Sequence, residues 1–203
     1  MSGRANDRSN EKMLYEGETY RDEVYAGSAF TDAVYEDCDF IGCVFAEAEF
    51  CRAVFRSCRF TRCRIDAPQV RESSMQNVTF DGCLLSGIEW HKFEPRSRFS
   101  SLFASLKGSN LRYCTFCEMK LPRTDFSGVR IVESIFADCD LTESDFRGCT
   151  LDRTEFFRCG VEKADFRGAT GYRVDVPTCR VKDARFSFPE AISLLSSIGV
   201  KID

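Results

Sequence analysis

The cysteines are the first residues in this chain that could do chemistry, since twelve of them are spread over 203 residues. Thiols in that number could ligate a metal, form a disulfide framework or sense oxidants. The one CxxC, Cys114-Thr-Phe-Cys117, lacks the second pair that a zinc site needs. His91 is the single histidine and falls in a break in the apolar pattern, which leaves no Ser/His/Asp or Cys/His arrangement in the regular part of the chain, and an exposed loop histidine is expected. There is no P-loop and no GxGxxG. The first ten residues, MSGRANDRSN, hold no apolar run that could act as a secretory signal, and no stretch approaches the length of a membrane span. These features predict a cytoplasmic protein with reduced thiols, no metal, no cofactor and no enzymatic activity.

The spacing of the apolar residues gives the thiols a different role. A large apolar side chain recurs every five positions: Tyr20, Tyr25, Phe30, Tyr35, Phe40, Phe45, Phe50, Phe55, Phe60, Ile65, Val70, Met75, Phe80, Leu85, Trp90. A second series runs from Leu106 through Phe116, Phe126, Phe136, Phe146, Phe156 and Phe166, skips Gly171 and resumes at Val176, Val181 and Phe186. Two residues before most of these stands a small side chain, such as Ala33, Cys38, Cys43, Ala48, Cys58, Cys63, Ala104, Ser134 or Cys139. Neither the helical period of about 3.6 nor the strand period of 2 keeps such residues on one face. A short extended piece followed by a tight turn does, and stacking such units gives a solenoid. In that frame ten cysteines point inward as small hydrophobes, and Cys51 and Cys117 point outward. Stacked thiols would lie about 4.8 Å apart with parallel Cβ vectors, the wrong geometry for a disulfide.

The units CDFIG, CRFTR, TDFSG, CDLTE, SDFRG, TEFFR and ADFRG resemble the A(D/N)LXX unit of the pentapeptide-repeat family, from about Tyr15 to Phe186. The resemblance implies an all-β fold, a right-handed quadrilateral parallel β-helix with four fives per coil. Cys43, Cys63 and Cys83 recur at that interval of 20, as do Cys139, Cys159 and Cys179. The expected organisation is a flexible tail over 1–12, a solenoid over 13–186 interrupted at about 91–105, and a C-terminal helix and tail over 187–203.

The interruption, HKFEPRSRFSSLFAS, fits the repeat poorly. It reads either as a projecting loop carrying His91, Lys92, Phe93, Glu94, Pro95, Arg96 and Arg98, or as a distorted coil with its aromatics tucked into the core. Ser187-Phe188-Pro189-Glu190 has the form of a capping box, and Ala191, Leu194, Leu195 and Ile198 follow helical spacing. Such a helix would cover the open end of the coil, and the resemblance favours a homodimer through it. Charge is banded along the chain. Residues 11–50 carry eleven acids against Lys12 and Arg21, a net of −9, whereas residues 51–64 carry five arginines and no acid. That pattern does not suit direct nucleic-acid binding.

Within the family, "GCLLSGIEW", "NLRYCTF", "KLPRTDF" and "ARFSFPEAISLLSSIGVKID" resemble the topoisomerase-protecting branch, which includes the quinolone-resistance proteins and the microcin and albicidin immunity proteins. That likeness implies a DNA mimic that binds DNA gyrase or topoisomerase IV and frees it from a poison. About eight coils at ~4.8 Å would give a rod of about 40 Å, roughly 12 base pairs. Asp37, Asp39, Glu47 and Glu49 are then the expected acidic contact surface. The alternative is a protein-binding scaffold with no topoisomerase role.

Overall fold

The computed structural model describes residues 12–93 and 101–201. The chain winds as a parallel β-solenoid of about eight coils with four faces. Face 1 stacks the strands Met13–Glu16, Ala33–Glu36, Val54–Arg56 and Ser74–Gln76, and face 2 stacks Thr19–Arg21, Asp39–Ile41, Arg59–Thr61, Val78–Asp81 and Phe103–Ser105. Val44–Ala46, Arg64–Asp66, Leu84–Ser86, Asn110–Arg112 and Arg130–Val132 build face 3. On face 4, Ala29–Thr31, Glu49–Cys51 and Gln69–Arg71 are continued, after a bridge from Glu89 to Thr115, by Thr115–Cys117 and Ile135–Ala137. Register advances by four fives per coil, as in Phe40 opposite Phe60 and Ile65 opposite Leu85.

The corner between faces explains why five residues make a side. The second residue after each central apolar one takes a left-handed backbone, as at Asp32 (φ 50°), Asp37 (φ 51°), Glu47 (φ 52°) and Arg52 (φ 54°). That conformation costs a non-glycine residue roughly 1–2 kcal/mol. It recurs here because each corner turns the chain through it.

The core is a set of aromatic columns. On face 2, Tyr20, Phe40, Phe60 and Phe80 stack with centroids 4.8, 4.8 and 5.1 Å apart. On face 4, Phe116, Phe136 and Phe156 do so at 4.3 and 4.8 Å. Neighbouring columns meet edge to face, as Phe136 does with Phe126 and Phe146. Both geometries suit the ring quadrupole.

Ten cysteines are buried between these columns, Cys51 and Cys117 are half-exposed, and all twelve are free thiols. Each buried thiol makes the same bond: Cys58 Sγ donates to Tyr35 O (3.3 Å), Cys63 Sγ to Phe40 O (3.2 Å) and Cys83 Sγ to Phe60 O (3.2 Å). Ser144 and Thr154 donate their hydroxyls to Leu121 O and Ile131 O in the same way. The position therefore takes a small side chain with a hydrogen to give, and sulfur or oxygen serves. Burial pushes the thiols of Cys58 and Cys149 up to about 12 and that of Cys114 up to about 11, so at neutral pH they remain donors. Cys63→Ala is expected to cost about 1 kcal/mol in urea unfolding with the far-UV spectrum unchanged, and Cys63→Ser less than that. A loss of several kcal/mol would give the thiol a larger role than filling.

The structure departs from the sequence expectations at three places. Leu85 pairs with Leu111 and not with Ser105, so the interruption inserts six residues into one coil. A register shift at Phe103–Ser105 absorbs part of it, turning Ala104 outward and Phe103 inward. In the last coils Thr154 pairs with Tyr172 and Phe156 with Val174, two residues short of a full coil. Tyr172 and Val174 fill the core there, and Val176 does not. Gly160 opposite Arg180 restores the interval of four fives.

The capping box does not form. Ser187 Oγ accepts the N–H of Gly168 (2.8 Å), and Pro189 precedes the 3-10 turn Glu190–Ile192 with no side-chain cap. The nearest unsatisfied donor for the serine is the edge of the coil, and it goes there. The α-helix itself is short, Ser193–Ser197. Leu194 packs against the core, and Ser197 Oγ accepts Val176 N–H (3.3 Å), which closes this end of the solenoid.

Candidate protein-docking surface

The acids at positions 37, 39, 47 and 49 all lie on the second coil, but they do not make one surface. Asp37 turns the corner between faces 1 and 2, and Asp39 begins the next strand on face 2. Glu47 turns the corner between faces 3 and 4, and Glu49 begins the strand on face 4. The two corners are diagonally opposite, so a partner lying flat on one face meets at most one pair.

The coil length also decides which acids carry uncompensated charge. Arg52 hydrogen-bonds Asp32 through two nitrogens at 2.6 Å, Arg56 reaches Glu36 at 3.4 Å and Arg59 reaches Asp39 at 3.2 Å. Three of the five arginines of residues 51–64 thus stack on acids one coil earlier, whereas Arg64 pairs with Asp66 in its own coil. Hydrogen bonding from Arg52 holds the Asp32 carboxyl below the usual carboxylate range. Asp39 is consequently a paired group and not a free contact. Glu16, Glu18, Asp22, Glu23, Asp37, Glu47 and Glu49 make none of the ion pairs found among the described residues. Net negative charge is therefore concentrated on the first two coils. Composition alone does not single out Glu16, Glu18, Asp22 and Glu23 from the other acids of the band. The spacing of one coil between an acid and an arginine marks the acids of this band that are neutralised.

The interruption divides in two. Phe93 does not project: it bridges Ser73, is 1% exposed, and its ring lies 5.9 Å from that of Phe50. The distorted-coil alternative describes it, and Leu102 and Phe103 are buried likewise. His91 sits half-buried in the 3-10 turn Trp90–Lys92 instead of an open loop, and Lys92 pairs with Glu89. Glu94, Pro95, Arg96 and Arg98 lie outside the described residues.

At the other end, Ala191 and Leu194 are partly covered, whereas Leu195 (38% exposed) and Ile198 (52%) face outward. Phe188 (82%) and Val200 (43%), which helical spacing alone would not select, are likewise exposed apolar residues of the C-terminal segment. Further along the rod, Glu133 accepts from Arg112 (3.0 Å) and pairs with Arg153; hydrogen bonding from Tyr113, then from Arg112, holds its carboxyl low. Among the described residues no group of three His, Cys, Asp or Glu side chains is placed to hold a metal ion. No helix there is long and apolar enough to cross a membrane.

Two family profiles cover most of this chain, one described as a pentapeptide repeat region over residues 33–99 and one as pentapeptide repeats over 103–136 and 134–170. The chain belongs to the pentapeptide-repeat family. The right-handed quadrilateral β-helix that the family resemblance implied is the architecture seen. No curated protein sequence matches it. Among solved structures of pentapeptide-repeat proteins, it is similar to a trypsin-treated variant of QnrB1, described as a plasmid-mediated fluoroquinolone resistance protein. That match has 18% identity and a TM-score of 0.68, and covers 95% of this chain and 99% of the other. Full-length QnrB1 matches at 16% identity with a TM-score of 0.67, covering 92% and 100%. At these identities the likeness is one of fold.

Proposed function

We propose that this pentapeptide-repeat protein is a cytoplasmic, non-enzymatic DNA mimic that binds DNA gyrase or topoisomerase IV and protects it from a poison. The observation that carries this reading is the concentration of unpaired carboxylates on the first two coils of a stiff rod. Such a surface can be drawn into the basic site that normally receives duplex DNA. The fold shared with a fluoroquinolone resistance protein supports it. Because the middle of the rod is ion-paired, its acidic end enters first. The segment from Glu94 to Arg98 is the proposed sequence-specific contact, with Phe93 anchoring it in the core.

The deciding experiment adds the purified protein to gyrase supercoiling and poison-stabilised cleavage assays. Cleavage should fall as protein is added. A variant with Glu16, Glu18, Glu23 and Glu47 changed to Gln should associate about tenfold more slowly at low salt. Deleting Glu94 to Arg98 while keeping Phe93 should abolish protection and leave some binding. If the intact protein neither binds a topoisomerase nor changes cleavage, the scaffold reading replaces this one. The pairing of Arg52, Arg56 and Arg59 with acids one coil below favours that second reading, because it removes charge a mimic would use.

The protein also acts as a homodimer in this proposal, through Phe188, Leu195, Ile198 and Val200. Leu195→Asp is expected to sediment as a monomer with its far-UV spectrum retained, and an unchanged oligomer would move the interface elsewhere.

A further inference from the structure

The two ends of the solenoid differ. Tyr172, Phe186 and Leu194 pack together at the C-terminal end, whereas the first coil has no strand beneath it among the described residues. In the second coil the N–H of Asp39 bonds Glu18 O (2.8 Å), that of Val44 bonds Glu23 O (2.9 Å) and that of Glu49 bonds Ser28 O (2.9 Å). The third coil repeats this, with Arg59, Arg64 and Gln69 bonding the carbonyls of Cys38, Cys43 and Ala48. Thr19, Val24 and Ala29 are the register partners of Asp39, Val44 and Glu49 in the first coil. Their N–H groups point away from the solenoid, with no coil to receive them among the described residues.

This edge is chemically particular. Tyr20 stacks on Phe40 at 4.8 Å and Tyr25 on Phe45 at 5.0 Å, with no ring stacked on the other side among the described residues, and Val24 is 68% exposed. The strand Thr19–Arg21 is bracketed by Glu16 and Glu18 on one side and by Asp22 and Glu23 on the other. Asn10 and Ala5 stand one coil length before Phe30 and Tyr25, so the sequence does not continue the aromatic columns of faces 4 and 3 there.

We infer that the open edge at Thr19–Arg21 accepts a short extended segment of a partner protein, apolar at its centre and basic at both ends. Its backbone carbonyls take the edge N–H groups that have no partner among the described residues, and its own N–H groups give to edge carbonyls such as that of Arg21, whose register partner Ile41 accepts from Asp22 in the same way. The central side chain covers the open face of the Tyr20 ring, and its flanking lysines or arginines meet the four acids. Charge selects this occupant over a second copy of the chain, whose first coil carries the same acids. The inference goes beyond the topoisomerase reading and does not need it, since its test contains no topoisomerase.

The test uses the full-length protein and a fluorescein-labelled, acetylated Lys-Lys-Val-Phe-Val-Lys-Lys peptide, with binding read by anisotropy at low salt. Saturable binding is expected. It should weaken at least tenfold when the central residues of the peptide are N-methylated, when its lysines are replaced by glutamates, and in the variant Thr19→Pro. Proline is tolerated at the first residue of an edge strand and removes the one N–H in question. Should Thr19→Pro fail to fold, the N-methylated peptide applies the same test to the unaltered protein. Absent binding, equal affinity for the N-methylated peptide or equal affinity for the acidic peptide overturns the inference. So does concentration-dependent self-association that Thr19→Pro abolishes, because the edge would then be occupied by a second copy.

Discussion

Phe136→Ala is expected to remove about 3–5 kcal/mol of stability, the range for truncating a fully buried phenylalanine. The ring is sandwiched between Phe116 at 4.3 Å and Phe156 at 4.8 Å, and it meets Phe126 and Phe146 edge-on. Four aromatic contacts are lost together, and the coil cannot collapse into the gap without breaking the register of its neighbours. Because a solenoid is held by nearest-neighbour interfaces, the damage falls at one joint of the rod. Urea unfolding followed by far-UV signal should therefore move to a lower midpoint and broaden into two steps. Phe186→Ala, at a partly buried position, should cost less and leave one step. Equal losses at both positions would mean that the stack has no weak end.

Gly171→Ala is the second large effect, and its control lies in the same chain. Gly171 has φ +73°, and a Cβ there would meet Asp152 Cα at 2.8 Å and Asp152 N at 3.1 Å. Those are backbone atoms of the coil beneath, so no side chain can swing aside. This is where the last full coil is shortened by two residues, which brings the chains closer than elsewhere. A loss of roughly 2–4 kcal/mol is expected. Gly148 has φ +65° but nothing within 4 Å of its Cβ position. Gly148→Ala should cost only the left-handed backbone term, about 1 kcal/mol. Thermal melts of the two variants, side by side, check the difference, and similar melting temperatures would show that the coil at Gly171 can relax.

Much of this architecture was legible because a five-residue period has few physical solutions. The columns of Phe and Leu and the inward thiols could be counted from spacing, and the coil length of four fives, implied by the family resemblance, agreed with the interval of 20 between cysteines. What could not be counted were changes in length. Six residues added near Phe93 and two removed near Tyr172 show in the sequence only as a poorly fitting stretch and a skipped position, and hydrogen bonding between coils shows where register is recovered. Ser187 illustrates another limit. Its capping-box pattern is local, but the hydroxyl was claimed by Gly168 in the neighbouring coil. The acidic surface was half legible. Composition located the negative band, whereas its neutralisation depends on which arginine stands one coil above, as Arg59 does over Asp39.

A coil of fixed length also makes reach a stepped quantity. Adding or removing one full coil would change the separation of the acidic end from the exposed apolar residues of the C-terminal segment by one strand spacing, about 4.8 Å. Every aromatic column and every inward thiol would find an equivalent partner after such a change, since each already contacts a copy of its own position. The corners would follow, because each repeats the same backbone turn. Only the pairing of unlike charges would be altered. A chain of this kind can therefore be re-gauged to a partner of different depth by duplicating a stretch of gene, with the charge pattern left as the part that must be tuned residue by residue.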